Sequence, residues 1–454
     1  MKRMLIMFLA LSMVAVIALP AFAEVQNIKV TGSVLVRGFY RDNYATTGSG
    51  SGAVLTGFTE TGSRDWYNTQ TKIGIAADLT DNVGAAVVLG NERDWGVSTA
   101  TSTTTTGLDS NGDTYTYTDT TADNSSEVQI RSAYITMQEM LYSPLTVKVG
   151  RMPVRVADGL AIGDGTTGEG VLGSDYADSK EYDAIMGTLD YDPLTLHIGT
   201  AKVVDKTQNA GDDTDLYVID AVYKFEDDMN TVLDAYYTQA HYASPGLVGT
   251  GWTDTSTTGV DINVLAAMVT LEPMYALTAK VGIALQRGDY IKNPTTSRDL
   301  DAMAYDLGLN YALDNEYSPV VGFKYIYRSG QDNSKNTGDY EGWLALSEDQ
   351  TNGVIYDPNT NISAIAFNVT AVPADRLTVG LEYWIYSLAE SQVATGTTSN
   401  DDEAGTELDL TAQYAYTEDV SMGLNLAWFW PGDYYVGGND ETAMQAMLEM
   451  GVKF

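Results

Sequence analysis

Residues 444–454, MQAMLEMGVKF, decide the fold, because apolar and polar side chains alternate along them almost without error. Every second residue from Met444 to Phe454 is apolar, whereas the residues between them are mostly polar or small. Successive side chains of a strand point to opposite faces, so this stretch predicts a ribbon with one apolar face. The same alternation recurs along the whole chain, for example in residues 277–286 and 407–416.

The N-terminus predicts a secretory signal peptide over residues 1–23. A basic pair and an apolar stretch that ends at Leu19 precede Ala21-Phe22-Ala23, which matches the small-x-small cleavage site of such peptides. A transmembrane anchor is the alternative, but the stretch is short for a spanning helix of about 20 residues. We therefore expect Sec-dependent export and a single barrel domain over residues 24–454.

The composition limits the classes of function. The formal net charge is -36, which repels nucleic acid and attracts cations, so no nucleic-acid partner is expected. Cysteine is absent, which removes disulfides and thiol chemistry from consideration. The chain carries 43 Gly, 30 Tyr and 7 Trp, residues that barrels use at strand bends and at membrane interfaces.

The spacing of strands and connections predicts an all-β chain, a transmembrane, antiparallel, up-and-down β-barrel of about eighteen strands. Tight turns such as Asp81-Asn82 and Asp192-Pro193 alternate with long polar loops such as 94–126 and 329–360. In outer-membrane barrels the short turns are periplasmic and the long loops extracellular. A soluble β-sandwich or solenoid is the alternative, but it gives no reason for this asymmetry. An open sheet edge in the bilayer would leave backbone groups unpaired, so the sheet must close.

Aromatic residues mark both ends of the predicted strands. Tyr142 and Tyr416 lie beside short turns, and Tyr40, Trp66 and Trp430 lie near the long loops. Membrane barrels place such rings at the level of the lipid headgroups. General β-propensity also enriches aromatics and is the alternative explanation. The placement at strand ends favours two aromatic belts.

Three neighbouring stretches, LTVKVGRMP at 145–153, DGLAIGD at 158–164 and EYDAI at 181–185, resemble outer-membrane porins. In particular they are similar to the alginate-export-type family of 18-stranded barrels, in which a strand end leads into a Gly/Asp-rich loop. The resemblance implies the barrel architecture. It also implies that the terminal Phe454 is the signal by which the barrel-assembly machinery recognises the chain.

The third long loop, residues 152–181, is the strongest candidate for a pore constriction. In many porins the third external loop folds inward and narrows the lumen. Cations and carboxylates around such a constriction create a transverse field that sets ion selectivity. An ordinary solvated surface loop is the alternative. The candidate residues, whose carboxylate excess predicts a preference for cations, are Arg151, Arg155, Asp158, Asp164, Glu169, Asp175 and Asp178.

Charges along the strands predict a wet interior. A charged side chain facing lipid near the midplane would cost roughly 2–4 kcal/mol, so these residues are expected to face water. A barrel of about eighteen strands is wide enough for an aqueous channel. The predicted lumen charges are Lys29, Arg37, Lys72, Lys280, Lys324, Arg328, Asp261, Asp306, Glu382, Glu407 and Asp409.

A calcium site is a weaker candidate in the second long loop. Asp109, Asn111 and Asp113 resemble half of a calcium loop, in which oxygens at alternate positions surround the ion. Thr114 stands where such loops have Gly, so a flexible exposed loop is the favoured interpretation. Calcium at acidic outer loops is the one cofactor considered, and no other is expected.

The sequence therefore predicts an outer-membrane porin that passes small hydrophilic solutes or ions, with a cation preference. A substrate-specific exporter, or the barrel scaffold of a secretion or electron-conduit complex, is the alternative. Enzymatic activity is not expected, because His197 and His241 are the only histidines and lack partners at ligand spacing. Expected partners are outer-membrane lipid, lipopolysaccharide and the barrel-assembly machinery. The oligomeric state stays open between monomer and homotrimer.

Overall fold

A computed structural model provides the structure of the chain. It describes residues 26–43, 45–47, 54–57, 63–95, 101–108, 114–121, 128–164, 181–204, 214–242, 260–292, 297–332, 338–346, 350, 352–391, 401–435 and 440–454. The predicted signal peptide, residues 1–23, lies outside this part of the chain. Among the residues described, no helix is long and apolar enough to cross a membrane.

Strands make up nearly all regular structure in the described residues. The first eleven are β1 Gln26–Asp42, β2 Ala45–Thr47, β3 Val54–Gly57, β4 Arg64–Thr80, β5 Val83–Asp94, β6 Thr101–Leu108, β7 Thr114–Thr121, β8 Gln129–Met137, β9 Leu145–Pro153, β10 Glu181–Tyr191 and β11 Leu194–Val204. The next eleven are β12 Thr214–Lys224, β13 Val232–Tyr242, β14 Val260–Met274, β15 Leu277–Lys292, β16 Ser297–Ala312, β17 Val320–Arg328, β18 Ile362–Ala374, β19 Leu377–Ser387, β20 Glu403–Ala415, β21 Val420–Pro431 and β22 Ala443–Lys453. A single 3-10 turn spans Met140–Tyr142.

Eighteen strands form one closed antiparallel sheet. Neighbours in the sheet are neighbours in the chain, apart from two separate hairpins, β2–β3 and β6–β7, which lie within long loops. The sheet closes where β1 pairs with β22, from Ser33 opposite Lys453 to Asp42 opposite Met444. The backbone of Phe454 extends this seam through two hydrogen bonds with Gly32, of 2.8 and 3.0 Å. The predicted barrel of about eighteen strands is therefore confirmed.

The alternation in β22 is inside-out relative to a soluble protein. Gln445 and Met447 are fully buried, whereas Leu448 and Met450 on the other face are 66% and 49% exposed. The polar face thus points into the barrel, and the apolar face covers its outer wall, as a barrel with a lipid-facing exterior requires. The same pattern in the other strands means that the buried residues of this protein lie inside the barrel.

The short connections lie where the sequence predicts them, with one refinement. β14 and β18 continue through Pro273 and Pro373, although proline is a common turn residue. Both strands have a register irregularity at this point, between Leu271 and Met274 and between Ala371 and Ala374. Proline has no N–H to give to a ladder, so it is tolerated only at such strand ends and bulges.

The outer aromatic belts differ from the prediction at one position. Tyr40 and Trp430 are exposed on the outer wall near the long loops, as expected. Trp66, however, stacks on buried Phe39 with ring centroids 4.7 Å apart, and its neighbour Tyr67 takes the outward position. Adjacent residues of a strand face opposite ways, so Tyr67, not Trp66, belongs to the outer aromatic belt.

Candidate functional site: the lumen and its inward segments

The chain that follows β9 turns into the barrel. Val156, Leu160, Ala161 and Ile162 are almost completely buried. They belong to one apolar cluster with residues on the inner faces of β10–β16, such as Val264. We call residues 154–164 the first inward segment. The described portion of the third long loop therefore lies inside the barrel, and its role as a pore constriction stays a prediction.

Hydrogen bonds and an ion pair within the first inward segment stabilise its conformation. The Arg155 guanidinium donates to the backbone oxygen of Asp158 at 2.6 Å, and it pairs with the Asp164 carboxylate at 3.4 Å. Gly159 lies against that guanidinium with a φ of +83°, a conformation that a residue with a Cβ rarely adopts. Arg155 and Asp164 thus shape the segment, and Asp158 is left to point at the barrel wall.

Asp158 joins the first inward segment to the barrel wall. Its Oδ2 lies 2.9 Å from Nζ of Lys280, which is on the inner face of β15. The same oxygen accepts a hydrogen bond of 2.9 Å from Nε2 of Gln350. Gln350 belongs to the long loop between β17 and β18, so two inward-folded loops meet at this carboxylate.

Gln350 continues the network to a buried cation. Its Oε1 accepts a 2.6 Å hydrogen bond from Arg328, which is 1% exposed at the end of β17. Arg328 in turn pairs with Asp306 of β16 at 2.7 Å. A connected line of polar side chains, Lys280–Asp158–Gln350–Arg328–Asp306, therefore bridges two loops and three strands. Charge-assisted contacts of this kind hold geometry more firmly than neutral hydrogen bonds.

The loop between β17 and β18 is also held by a carboxylate on β20. Glu407 of β20 is fully buried and accepts hydrogen bonds from three successive backbone N–H groups. The bonds come from Val354 at 2.6 Å, Ile355 at 2.7 Å and Tyr356 at 2.8 Å. We call residues 350–356 the second inward segment, of which residue 351 is not described.

Aromatic packing surrounds this anchor. Tyr356 stacks on Phe429 of β21 with ring centroids 5.0 Å apart, and it meets Tyr386 of β19 edge-on at 4.9 Å. Burial raises the pKa of the Tyr356 phenol to about 12, so it stays a neutral hydroxyl at neutral pH. The cluster is therefore a packed support for the segment and adds no charge to the lumen.

A third anchor holds the same loop closer to β17. Gln286 on the inner face of β15 is fully buried, and its amide forms a reciprocal pair with the backbone of Leu344. The two hydrogen bonds measure 2.9 and 2.8 Å. Trp343 beside it is 1% exposed within the apolar cluster of the first inward segment. Both loops therefore share one packed interior.

Most of the other predicted lumen charges face inward as expected, and many form pairs. Arg37 is fully buried and pairs with Glu449 at 3.0 Å, and Lys324 pairs with Glu382 at 2.7 Å. Asp409 stands directly opposite Glu382, two residues along β20 from Glu407. Lys29 and Lys72 lie on the inner faces of β1 and β4, alternating with outward Val30 and Ile73. Their effect on transport stays a prediction.

Two predicted site residues lie on the outer wall and are corrected. Arg151 is the neighbour of buried Met152, so alternation turns it outward, where it pairs with Asp183 at 3.6 Å. Asp261 is likewise the neighbour of buried Ile262 and pairs outward with His241 at 2.8 Å. Both lie near the long loops, where strands extend into water. The cost that excludes charges from the lipid face falls to about 0–1 kcal/mol at the interface.

Several predicted residues lie outside the described part of the chain. In the third loop these are Glu169, Asp175 and Asp178, and in the second loop they are Asp109, Asn111 and Asp113. Within the described residues, no three His, Asp or Glu side chains come together as metal ligands. The calcium hypothesis concerns residues that this structure does not describe.

The second inward segment and two buried carboxylates were not predicted from the sequence. Asp220 and Asp234 are 5% and 8% exposed on the inner faces of β12 and β13. In each, Oδ1 has no hydrogen-bond partner among the described residues. Both could have been predicted from the period of two residues. Asp220 directly follows Ile219, which faces outward, and Asp234 shares the inward face of β13 with Tyr236. No such signal existed for Gln350, because a loop has no periodicity that reports its direction.

Comparisons with known proteins agree with the architecture. Residues 230–449, just under half of the chain, match the family model for alginate export. The resemblance expected from residues 145–185 is therefore confirmed, although the match falls on a later part of the chain. No curated protein matches the chain.

Solved barrels from Pseudomonas aeruginosa share the fold. The chain is 13% identical to OccK9 (OpdG), with a TM-score of 0.56 over 95% of this chain and 100% of that one. It is 12% identical to OpdK solved with vanillate, with a TM-score of 0.57 over 94% and 98%. A further structure of OpdK, described as an outer membrane protein, gives 13% identity and a TM-score of 0.54 over 94% and 98%. At these identities the likeness concerns the fold.

Proposed function

We propose that this chain is an outer-membrane channel for small hydrophilic solutes, with a preference for cations. The observation that carries the proposal is the meeting of two inward segments at Asp158 and Gln350 inside a closed barrel. A barrel with a polar interior supplies a path through the bilayer, and inward segments set its width and its field. The fold that it shares with the OccK and Opd barrels supports this proposal.

Three features support the cation preference. Asp and Glu together number 61 against 25 Lys and Arg, so the mean field attracts cations. The inner-face carboxylates Asp220 and Asp234 have no ion-pair partner among the described residues, whereas Lys280, Lys324 and Arg328 are each paired with a carboxylate. Paired cations contribute little net charge to a passing ion, so the acidic excess of the chain sets the sign of the field.

Planar-bilayer recording of the purified protein tests this proposal. We expect stable conductance steps and, in a salt gradient, a reversal potential of the sign that cation permeation produces. The same preparation denatured by boiling serves as the control. An absence of steps, or a reversal potential of the anionic sign, would contradict the channel or its preference, respectively.

The match to the alginate export family favours a second candidate, a channel for an acidic polysaccharide. Uronate oligomers added to one side of the bilayer distinguish the two candidates. Blocking of the current at low oligomer concentration would favour the exporter. Unaltered current at all concentrations would favour the channel for small solutes.

A further inference from the structure

Six outward-facing residues, five charged and one histidine, form a continuous row near the long loops. They lie on six consecutive strands, β9 to β14, and each stands directly opposite the next across the sheet. We call them the outward charge row. In order around the barrel they are Arg151, Asp183, Lys202, Asp215, His241 and Asp261.

Three close contacts lie within the row, and its side chains remain accessible. Arg151 pairs with Asp183 at 3.6 Å, Lys202 with Asp215 at 2.8 Å, and His241 with Asp261 at 2.8 Å. The Lys202 side chain is 46% exposed and that of Asp183 is 63% exposed. Half-exposed surface pairs of this kind contribute about 0–1 kcal/mol to stability, so folding alone gives little reason for six in line.

The row lies at the edge of the apolar outer wall. Four residues further along the same faces, toward the short turns, lie Ile198, Ile219 and Leu265, each more than half exposed. In the other direction the strands end in long loops. Since exposed apolar side chains define the hydrocarbon band of a barrel, the row stands at the level of the polar headgroups.

We infer that the outward charge row binds phosphate-bearing lipid headgroups. Arg151 and Lys202 supply the direct contacts to phosphate oxygens. The carboxylates of Asp183, Asp215 and Asp261 hold divalent cations that bridge to further phosphates, because hard cations prefer oxygen ligands. The inference depends on the proposed location in the outer membrane and adds a lipid partner to it.

The shape of the barrel decides between a lipid layer and a second copy of the chain. Six of the eighteen strands cover a third of the circumference. With strands spaced about 4.8 Å apart, the row runs roughly 24 Å around a convex wall. Two convex barrels touch along a narrow strip and would leave both ends of the row uncovered. Separate headgroups follow the curvature and reach every member.

The charged part of the rim extends past the row to the outward pair of Arg287 on β15 and Asp301 on β16, 2.6 Å apart, but not around the whole barrel. On β1, β4 and β21 the outward positions near the long loops hold Tyr40, Tyr67 and Trp430, and Tyr67 stacks on Trp95 with centroids 5.2 Å apart. Those aromatic rings fit an interface with ordinary lipid. The charged part of the rim therefore favours a headgroup rich in phosphate, and the aromatic part does not require one.

The test measures lipid binding by the purified barrel in detergent. The probe is diphosphoryl lipid A, compared with the same lipid after removal of its phosphates, and native mass spectrometry counts the bound molecules. The variants are Asp183→Asn with Asp215→Asn, and separately Lys202→Gln. The matched control is Asp375→Asn with Arg376→Gln, an exposed pair of 3.8 Å at the turn end of the barrel. Heat-dependent gel migration checks that each variant is folded.

We expect phosphorylated lipid to bind more tightly than the dephosphorylated form, and chelation of divalent cations to weaken binding. The double variant should lose affinity on the order of tenfold, as two charge-assisted contacts at half-exposed positions imply, and Lys202→Gln on the order of threefold. The control should bind as the unaltered chain does. Equal binding by row variants and control would overturn the inference. So would dimers of the barrel that dissociate on the same substitutions. If the row variants conduct and also bind lipid as the unaltered chain does, this inference is overturned and the proposed channel function stands.

Discussion

At the scale of single residues, alternation makes a one-position difference decisive. Arg151 and Met152 are neighbours, yet Met152 is 3% exposed inside the barrel and Arg151 lies on its outer wall. Asp158, seven residues beyond Arg151, reaches the inner face of β15 at Lys280. Charge near a loop is therefore a poor predictor of selectivity unless the facing of each residue is known.

This difference gives a paired prediction about ion selectivity. Asp158→Asn with Asp164→Asn should lower the cation-to-anion permeability ratio. One unit charge about 5 Å from a passing ion in water is worth roughly 0.8 kcal/mol, which gives a change of about threefold to fourfold per charge. Reversal potentials in a salt gradient provide the measurement.

Arg151→Gln is the matched control for that pair. It also changes one charge near the start of the same loop, but that charge lies on the outer wall. The permeability ratio should therefore equal that of the unaltered chain. An equal shift from Arg151→Gln would show that selectivity follows the overall charge, which contradicts a constriction at Asp158.

At the scale of elements, the strands could be predicted from the sequence, and so could the first of the two inward segments. The order of β14 to β17 and the inward facing of Lys280, Lys324 and Arg328 follow from a period of two residues. The third loop was found through its resemblance to porin loops. The second inward segment was not found, because its anchors are long-range contacts, such as Glu407 with Val354, that leave no local pattern.

Glu407 gives the prediction at this scale. Glu407→Gln replaces a carboxylate that holds three N–H groups with an amide that has one acceptor oxygen and two donors. The loss of a charge-assisted contact at a buried site costs about 2–3 kcal/mol, which should loosen residues 350–356. We expect larger and noisier single-channel steps, measured in bilayers.

Glu382→Gln is the control for Glu407→Gln. It removes one carboxylate charge on the neighbouring strand, where Glu382 pairs with Lys324 and touches no inward segment in the described structure. Its step size should remain steady, with only the selectivity altered. If both variants produced the same noise, loss of charge would explain it, and the anchoring role of Glu407 would be wrong.

At the scale of the whole molecule, the exposed apolar wall requires a lipid-like environment. Ile28, Leu265 and Leu448 are 64%, 59% and 66% exposed, and residues like them cover the outside of the barrel. Contiguous apolar surface of this extent drives aggregation in water. We expect the purified chain to be monodisperse in detergent and to aggregate when detergent is removed, as measured by light scattering. Monodisperse, folded protein in plain buffer would contradict the membrane barrel.

The absence of cysteine allows a direct test of the claim that two inward segments meet inside the barrel. Asp158→Cys and Gln350→Cys place the only thiols of the chain where the present side chains are 2.9 Å apart. A short bis-thiosulfonate reagent should join them within one chain and reduce single-channel conductance, and reductant should restore it. Each single variant should show neither effect. Failure of the double variant to cross-link, with both thiols accessible to monofunctional reagent, would contradict the claim.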